Sequence, residues 1–279
     1  MCATCGCGDE DVRVTAYGSC VQRDADGEAG HAHAHPHPHP HAHPHPSTAN
    51  GPHEAPAETR TVLIEEDVLA KNDRLARRNR TWLAARGAAA VNLMSSPGSG
   101  KTTLLERTVR GLAESAAARV PVCVVEGDQE TLLDAERIRA TGCAVVQINT
   151  GAGCHLDAAM LGRGLEELDP GPGSLVLVEN VGNLVCPALF DLGEARRVVV
   201  MSVTEGVDKP LKYPHMFTTA DLVVVNKADL MPYVDFDLER CHDNVRAVNA
   251  RAELVVLSAT RGEGLERWYA WLRAVVPAP

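Results

Sequence analysis

Lys101 and Thr102 close the stretch Ser95-Ser96-Pro97-Gly98-Ser99-Gly100-Lys101-Thr102. It fits the phosphate-loop pattern G-x-x-x-x-G-K-[ST] everywhere except its first position, Ser95. That position needs a tight turn more than a close approach to phosphate. Gly98 and Gly100 let the backbone bend so that amide N–H groups converge on phosphate oxygens. The helix that follows aims the positive end of its dipole at the same anion. Lys101 is placed to reach the β- and γ-phosphates, and the Thr102 hydroxyl to ligate Mg2+. The candidate phosphate-binding residues are Pro97, Gly98, Ser99, Gly100, Lys101, Thr102 and Thr103.

Three further elements extend this chemistry to a whole nucleotide. Leu175–Val178 is an apolar run ending in Glu179, with Gly182 three residues on. It reads as a D-x-x-G switch with Glu in place of Asp. Glu179 would hold the Mg2+ shell, and the Gly182 amide would sense the γ-phosphate. Asp128, in Glu126-Gly127-Asp128-Gln129, is a candidate contact to Mg2+ or to an attacking water. Thus Lys101, Asp128 and Glu179 are the catalytic candidates, and Thr102, Asp128 and Glu179 the magnesium ligands. Asn226-Lys227-Ala228-Asp229 is an N-K-x-D element. Its carboxylate accepts from guanine N1–H and N2–H2 together, whereas adenine presents an acceptor at N1, so the pocket selects GTP. Ser258 and Ala259 match the loop that supports guanine O6.

Soft donors form a second theme. Cys2, Cys5 and Cys7 put three thiols within six residues, and removal of Met1 would free an α-amine as a fourth donor. Such a set suits square-planar Ni(II), and Zn(II) would also accept it. Every odd position from 31 to 45 is histidine: His31, His33, His35, His37, His39, His41, His43 and His45. Neutral imidazoles bind Ni, Zn and Cu, so the tract suits metal storage or buffering. A third group, Cys154, His155 and Cys186, falls in loops at the ligand edge of the expected sheet. Cys186 follows Glu179 on the same switch segment, so a site built there would change shape on hydrolysis.

These residues need a scaffold, and the rest of the chain supplies one. Short apolar runs at Val91–Met94, Val120–Val125, Val145–Ile148, Leu175–Val178, Val198–Val203, Leu222–Val225 and Leu254–Leu257 read as buried strands. Helical stretches at Thr102–Ala118, Leu132–Thr141, Leu156–Leu168 and Leu265–Val275 alternate with several of them. The expected fold class is α/β, a mostly parallel sheet with helices on both faces. Ligands of such sheets bind at the C-terminal ends of strands. An amphipathic helix over Glu65–Arg86 leads into the domain.

Residues 1–60 hold almost no large apolar side chains and read as an unfolded metal-binding segment, with the GTPase domain over 61–279. The net charge of −10 and 4% aromatic content argue against nucleic-acid binding. The N-terminus has no signal-peptide pattern, and no apolar run is long enough to span a membrane. A cytoplasmic location is expected, with the nine cysteines mostly reduced. Cys123 and Cys143 read as small buried residues.

The motifs resemble those of the nickel-incorporation GTPase HypB family of [NiFe]-hydrogenase maturation. The stretches that carry the resemblance include Cys2-x-x-Cys5-Gly6-Cys7, the phosphate loop and Glu126–Gln129. Thr150–Ala158, Glu179–Pro187, Asp208–Pro214 and Asn226–Asp229 complete the set, so that it covers residues 60–279 and the cysteine cluster. The resemblance implies a P-loop NTPase of the SIMIBI type, a GTPase with nickel as its metal and zinc as competitor at the domain site. It implies dimerisation in response to GTP, with that site near the dimer interface. It also implies two partners, the accessory protein HypA and the hydrogenase large-subunit precursor. It assigns Cys154, His155 and Cys186 to the domain site and Cys2, Cys5 and Cys7 to a high-affinity N-terminal site. The related urease accessory GTPase is built around Cys-Pro-His rather than Cys154-His155-Leu156-Asp157. A storage protein with a vestigial GTPase is an alternative against which Lys101, Thr102 and Asp229 argue. No arginine finger or catalytic glutamine is evident in the sequence, so slow turnover is expected.

Overall fold

A computed structural model describes residues 13–17 and 57–277, apart from 115–119, 129–132 and 152. The cysteines of the N-terminal cluster and the histidines of the tract lie outside the described residues.

The seven apolar runs all form strands: β2 (Ala89–Ser95), β3 (Val122–Asp128), β4 (Ala144–Asn149), β5 (Leu175–Glu179), β6 (Arg196–Ser202), β7 (Leu222–Asn226) and β8 (Glu253–Val256). β2 and β5 are buried at every residue, as expected for strands covered on both faces. An eighth strand, β1 (Arg13–Tyr17), falls inside the segment read as unfolded. It adds to the edge of the sheet, giving the order β1-β4-β3-β5-β2-β6-β7-β8. All neighbours are parallel except β1, which runs antiparallel to β4. Five residues have too little apolar content to signal a strand alone. Pairing to a preformed edge supplies the backbone hydrogen bonds, and Val14 and Ala16 pack against the apolar cluster beneath β4.

Helices α2 (Lys101–Glu114), α3 (Leu133–Arg139) and α9 (Leu265–Val275) cover one face. There Leu104, Leu105, Ile138 and Leu272 pack with Val91, Leu93 and Leu177. Buried Trp268 of α9 donates its indole N–H to Thr108 Oγ1 of α2 at 2.8 Å. The other face carries α1 (Ala57–Ala85) and α4 (Ala158–Leu168) over β3, β4 and β5. The short helices α5 (Cys186–Leu189), α6 (Lys209–Lys212) and α7 (Pro214–Thr218) precede β7, and α8 (Leu238–Val248) packs with α7 over β6 and β7. α1 begins eight residues before the amphipathic pattern at Glu65. Among the described residues no helix is long and apolar enough to cross a membrane.

Two boundaries differ from the sequence reading in ways that matter to the site. β3 runs on through Glu126 and Gly127 to Asp128, because β4 continues to pair with it up to Asn149. Leu156 does not open α4: Asp157 caps that helix, its Oδ1 accepting the Met160 N–H at 2.8 Å. Leu156 instead packs onto Gly127, where a Cβ would meet its side chain at 2.7 Å.

Candidate nucleotide and metal site

The phosphate loop spans the end of β2 and the start of α2. Gly98 and Gly100 have φ of 76° and 91°, a region closed to most side chains. The loop is pinned by the N-K-x-D element. Asn226 Nδ2 donates to the Ser99 carbonyl at 2.9 Å, and Lys227 Nζ donates to the Gly98 carbonyl at 2.7 Å. Asn226 Oδ1 in turn accepts N–H groups of Lys227 at 2.8 Å and Ala259 at 3.0 Å. Ser258 Oγ donates to Asp229 Oδ1 at 2.5 Å. The N-K-x-D element, Ser258 and Ala259 are therefore joined to the phosphate loop as one connected unit.

A cavity of about 450 Å³ opens beside this loop. Pro97, Gly98, Ser99, Gly100, Lys101, Thr102, Thr103, Asp128, Glu179 and Gly182, the phosphate and magnesium candidates of the sequence, all line it. Gly182 sits against the loop, where a Cβ would lie 3.3 Å from Pro97. Lys101 Nζ pairs with Glu179 Oε1 at 3.2 Å. The Thr102 hydroxyl lies 2.8 Å from the same oxygen and 3.0 Å from Asp134 Oδ2.

Three charged residues of this cavity carried no role in the sequence reading. Glu126 stands opposite Glu179 in the β3–β5 register and is buried with it. Burial, then the neighbouring Glu179 carboxylate, push the Glu126 carboxyl up to about 9. Asp134, the second residue of α3, reaches Thr102. Arg137, one turn on, binds Glu106 at 2.6 Å and Asp134 at 3.3 Å and also lines the cavity. The parallel register could not be read from the sequence, so the pairing of Glu126 with Glu179 had no signal there. Asp134 and Arg137 were visible only as charges on a helix.

These residues fit Mg2+. Glu126 Oε2 and Glu179 Oε2 are buried, and neither has a hydrogen-bond partner. The Asp128, Asp134 and Glu179 carboxylates and the Glu126 carboxyl face a cavity lined by two cations, Lys101 and Arg137. A hard divalent ion with oxygen ligands would satisfy that imbalance. Thr102, Glu179, Asp134 and Asp128 are the residues that would hold it.

The sulfur and imidazole ligands lie beyond the switch. Cys154, His155 and Cys186 bring their ligand atoms within 4.8 Å of one another. The two sulfurs are 2.9 Å apart, and Cys154 Sγ is 3.6 Å from His155 Nδ1. His155 is buried and stacks on Phe190 with ring centroids 4.1 Å apart. Burial lowers its pKa, which favours the neutral imidazole that binds metals. Asn183 Nδ2 donates to the Cys154 carbonyl at 3.4 Å, so the switch segment holds the ligand loop directly. Cys143 and Cys123 are buried, as expected.

Residues 89–256 match the model of the CobW/HypB/UreG nucleotide-binding domain. The hydrogenase maturation factor HypB of Rhizobium leguminosarum bv. viciae is 55% identical over 77% of this chain and 71% of its own. The Azotobacter vinelandii factor of the same name is 48% identical over 98% of this chain and 91% of its own. A crystal structure of HypB from Helicobacter pylori in complex with nickel is 36% identical, covering 75% of this chain and 98% of that one, with a TM-score of 0.67. With a phosphate loop pinned by N-K-x-D and a thiol–imidazole cluster in the loops that follow β4 and β5, this chain has the P-loop GTPase fold and belongs to the HypB family of hydrogenase maturation factors.

Proposed function

We propose that this protein hydrolyses GTP to drive nickel into the large subunit of a [NiFe]-hydrogenase. The observation that carries this reading is the position of Cys186. It lies on the segment that begins at Glu179, and its sulfur is 2.9 Å from that of Cys154. A γ-phosphate and Mg2+ that reposition Glu179 and Gly182 would therefore change the geometry of the metal ligands. Hydrolysis is then a means of releasing the ion rather than an end in itself.

Lys101 holds the phosphates, and Thr102, Asp128 and Glu179 hold Mg2+. Asp229 selects guanine. Turnover is slow, since Arg137 is engaged by Glu106 and Asp134. Cys154, His155 and Cys186 bind Ni2+, with Zn2+ competing; Cys2, Cys5 and Cys7 form the tighter N-terminal site, and the histidine tract stores the ion. GTP promotes a homodimer, for which Val185 and Leu189, each 54% exposed beside Cys186, offer apolar contact. The protein works in the cytoplasm, with HypA and the large-subunit precursor as partners.

The test is nickel and zinc titration of the full chain with GDP and with a non-hydrolysable GTP analogue. Cys2→Ser/Cys5→Ser/Cys7→Ser isolates the domain site. Deleting residues 1–60 would also remove β1, so substitution is the cleaner route. Nickel affinity at the domain site should differ between the two nucleotides. Equal affinity would overturn the coupling of hydrolysis to metal release.

A further inference from the structure

Among the described residues, Lys101 and Arg137 are the cations that line the nucleotide cavity. Lys101 is buried in the phosphate loop. Arg137 lies on α3 with its side chain 44% exposed, which leaves it room to change rotamer. Three groups share its guanidinium. Nη2 donates to Glu106 Oε2 at 2.6 Å and to Thr103 Oγ1 at 3.2 Å, and Nη1 donates to Asp134 Oδ1 at 3.3 Å. The Glu106 bond is the short, charge-assisted one.

These partners differ in what they face. Thr103 and Asp134 line the cavity, and Asp134 Oδ2 also accepts the Thr102 hydroxyl at 3.0 Å. Glu106 stands four residues beyond Thr102 on α2, one turn further from the phosphate loop. It therefore draws the guanidinium along α2, while the bond to Thr103 keeps it within one hydrogen bond of the residue that ends the loop. A triphosphate adds negative charge to a cavity that already holds the Asp128, Asp134 and Glu179 carboxylates. A planar guanidinium can bond two phosphate oxygens side by side, and it keeps its charge at any working pH. Asp134, which holds Nη1, is among the residues that would hold Mg2+. Once it does so, Glu106 is the carboxylate left to hold Arg137 back.

We infer that Arg137 is the cation that bonds the γ-phosphate during GTP hydrolysis, and that Glu106 is a brake that holds it off. The inference rests on the proposed reading of the chain as a GTPase. Arg137 is then a catalytic residue and Glu106 a positioning residue that acts through it. Water attacks the γ-phosphorus, and the bond from that phosphorus to the β–γ bridging oxygen breaks. GDP and inorganic phosphate leave, the phosphate carrying the oxygen and protons of the water. Arg137 exchanges no proton. It offsets the charge spread over the γ-phosphate oxygens and the bridging oxygen as the bond breaks.

Phosphate release at saturating Mg2+ and GTP is measured for the full chain, Glu106→Gln, Glu106→Asp, Arg137→Gln and the Glu106→Gln/Arg137→Gln pair. Binding of fluorescent GDP and of a fluorescent non-hydrolysable GTP analogue is measured for each. Glu106→Gln should raise kcat by about tenfold, the scale of one hydrogen bond to a charged group. Glu106→Asp should fall between, since the shorter side chain holds the guanidinium less closely. Arg137→Gln should lower kcat by about tenfold, and the pair should match it, about 10²-fold below Glu106→Gln alone. Arg137→Gln should also weaken the GTP analogue by about tenfold and leave GDP unchanged, because GDP has no γ-phosphate. A pair that keeps the gain of Glu106→Gln, or a Glu106→Gln chain no faster than the natural one, would overturn the brake. Equal weakening of GDP and the analogue would set Arg137 on the inner phosphates and overturn its role at the γ-phosphate. A natural chain and variants that bind the analogue but release no phosphate would overturn the GTPase reading beneath the inference as well.

Discussion

The side-chain carbonyl of Asn180 accepts the backbone N–H of Leu156 at 3.1 Å. This one bond joins the residue after Glu179, a candidate magnesium ligand, to the residue after His155, a candidate nickel ligand. Asn180 Oδ1 also accepts the Val181 N–H at 3.0 Å, and Nδ2 donates to Asn92 Oδ1 of β2 at 3.3 Å. The side chain is fully buried, so water cannot replace these partners. A shift of the backbone at Asn180 would be passed to the loop that holds Cys154 and His155 through this contact.

Asn180→Ala tests that contact. It leaves the Leu156 and Val181 N–H groups unpaired in the core, a loss of about 1–3 kcal/mol in urea unfolding. Nickel should still bind the domain site, but its affinity should no longer differ between GDP and the GTP analogue. A nucleotide effect of natural size in this variant would place the coupling elsewhere.

Lys101→Ala separates the two chemistries. The ammonium lies 3.2 Å from Glu179 and has no part in the thiol–imidazole cluster. Phosphate release should fall by about 10²-fold or more, the scale of losing one preorganised charge at a developing anion. Nickel binding by the Cys2/Cys5/Cys7 set should be unchanged in a parallel titration.

The raised pKa of Glu126 sets a pH dependence for the nucleotide-free and metal-free protein. A carboxyl near 4.5 when unfolded and about 9 when folded takes up a proton on folding between those values. Its contribution is complete below about pH 4.5 and is lost as pH rises toward 9. Glu126→Gln should therefore melt above the natural chain at pH 8.5, with the gap closing toward pH 5. Parallel melting curves across that range would show that Glu126 ionises freely.

Asp229→Asn should exchange the base preference. The Asp229 carboxylate is oriented by Ser258 at 2.5 Å, which leaves its outer lone pairs for the guanine N–H groups. Loss of a bidentate, charge-assisted contact should weaken GTP by at least about 10²-fold, or ~2.7 kcal/mol. Xanthosine triphosphate, with a carbonyl where guanine has its amine, should bind the variant better than GTP does in a competition assay.

Gly100→Ala should abolish nucleotide binding. At φ 91° an added Cβ would lie 2.6 Å from Asn226 Nδ2, the group that pins the phosphate loop. Calorimetry with GDP should show no heat of binding while the far-ultraviolet spectrum stays helical and sheet-like.

Much of this protein was legible in its sequence because local patterns carry their own physics. Uniformly apolar runs had to be strands, and all seven are: six lie inside the sheet, and β8 forms a half-exposed edge. Gly98, Gly100, Lys101 and Thr102 could make a phosphate cradle only between a strand and a helix. Asn226 and Asp229 pointed to guanine. What escaped was whatever depends on which strands become neighbours. Only the parallel register of β3 and β5 sets Glu126 against Glu179, whose carboxylate adds to burial in raising the Glu126 pKa. Only the fold turns Asp134 and Arg137 from helix charges into lining of the nucleotide cavity. Cys154 and Cys186 are 32 residues apart in sequence, and their sulfurs meet because β4 and β5 end at the same edge of one sheet. β1 is the clearest case, since Arg13–Tyr17 has too few apolar side chains to order itself. It becomes a strand by borrowing the open edge of β4, and a partner of that kind is decided by tertiary structure alone.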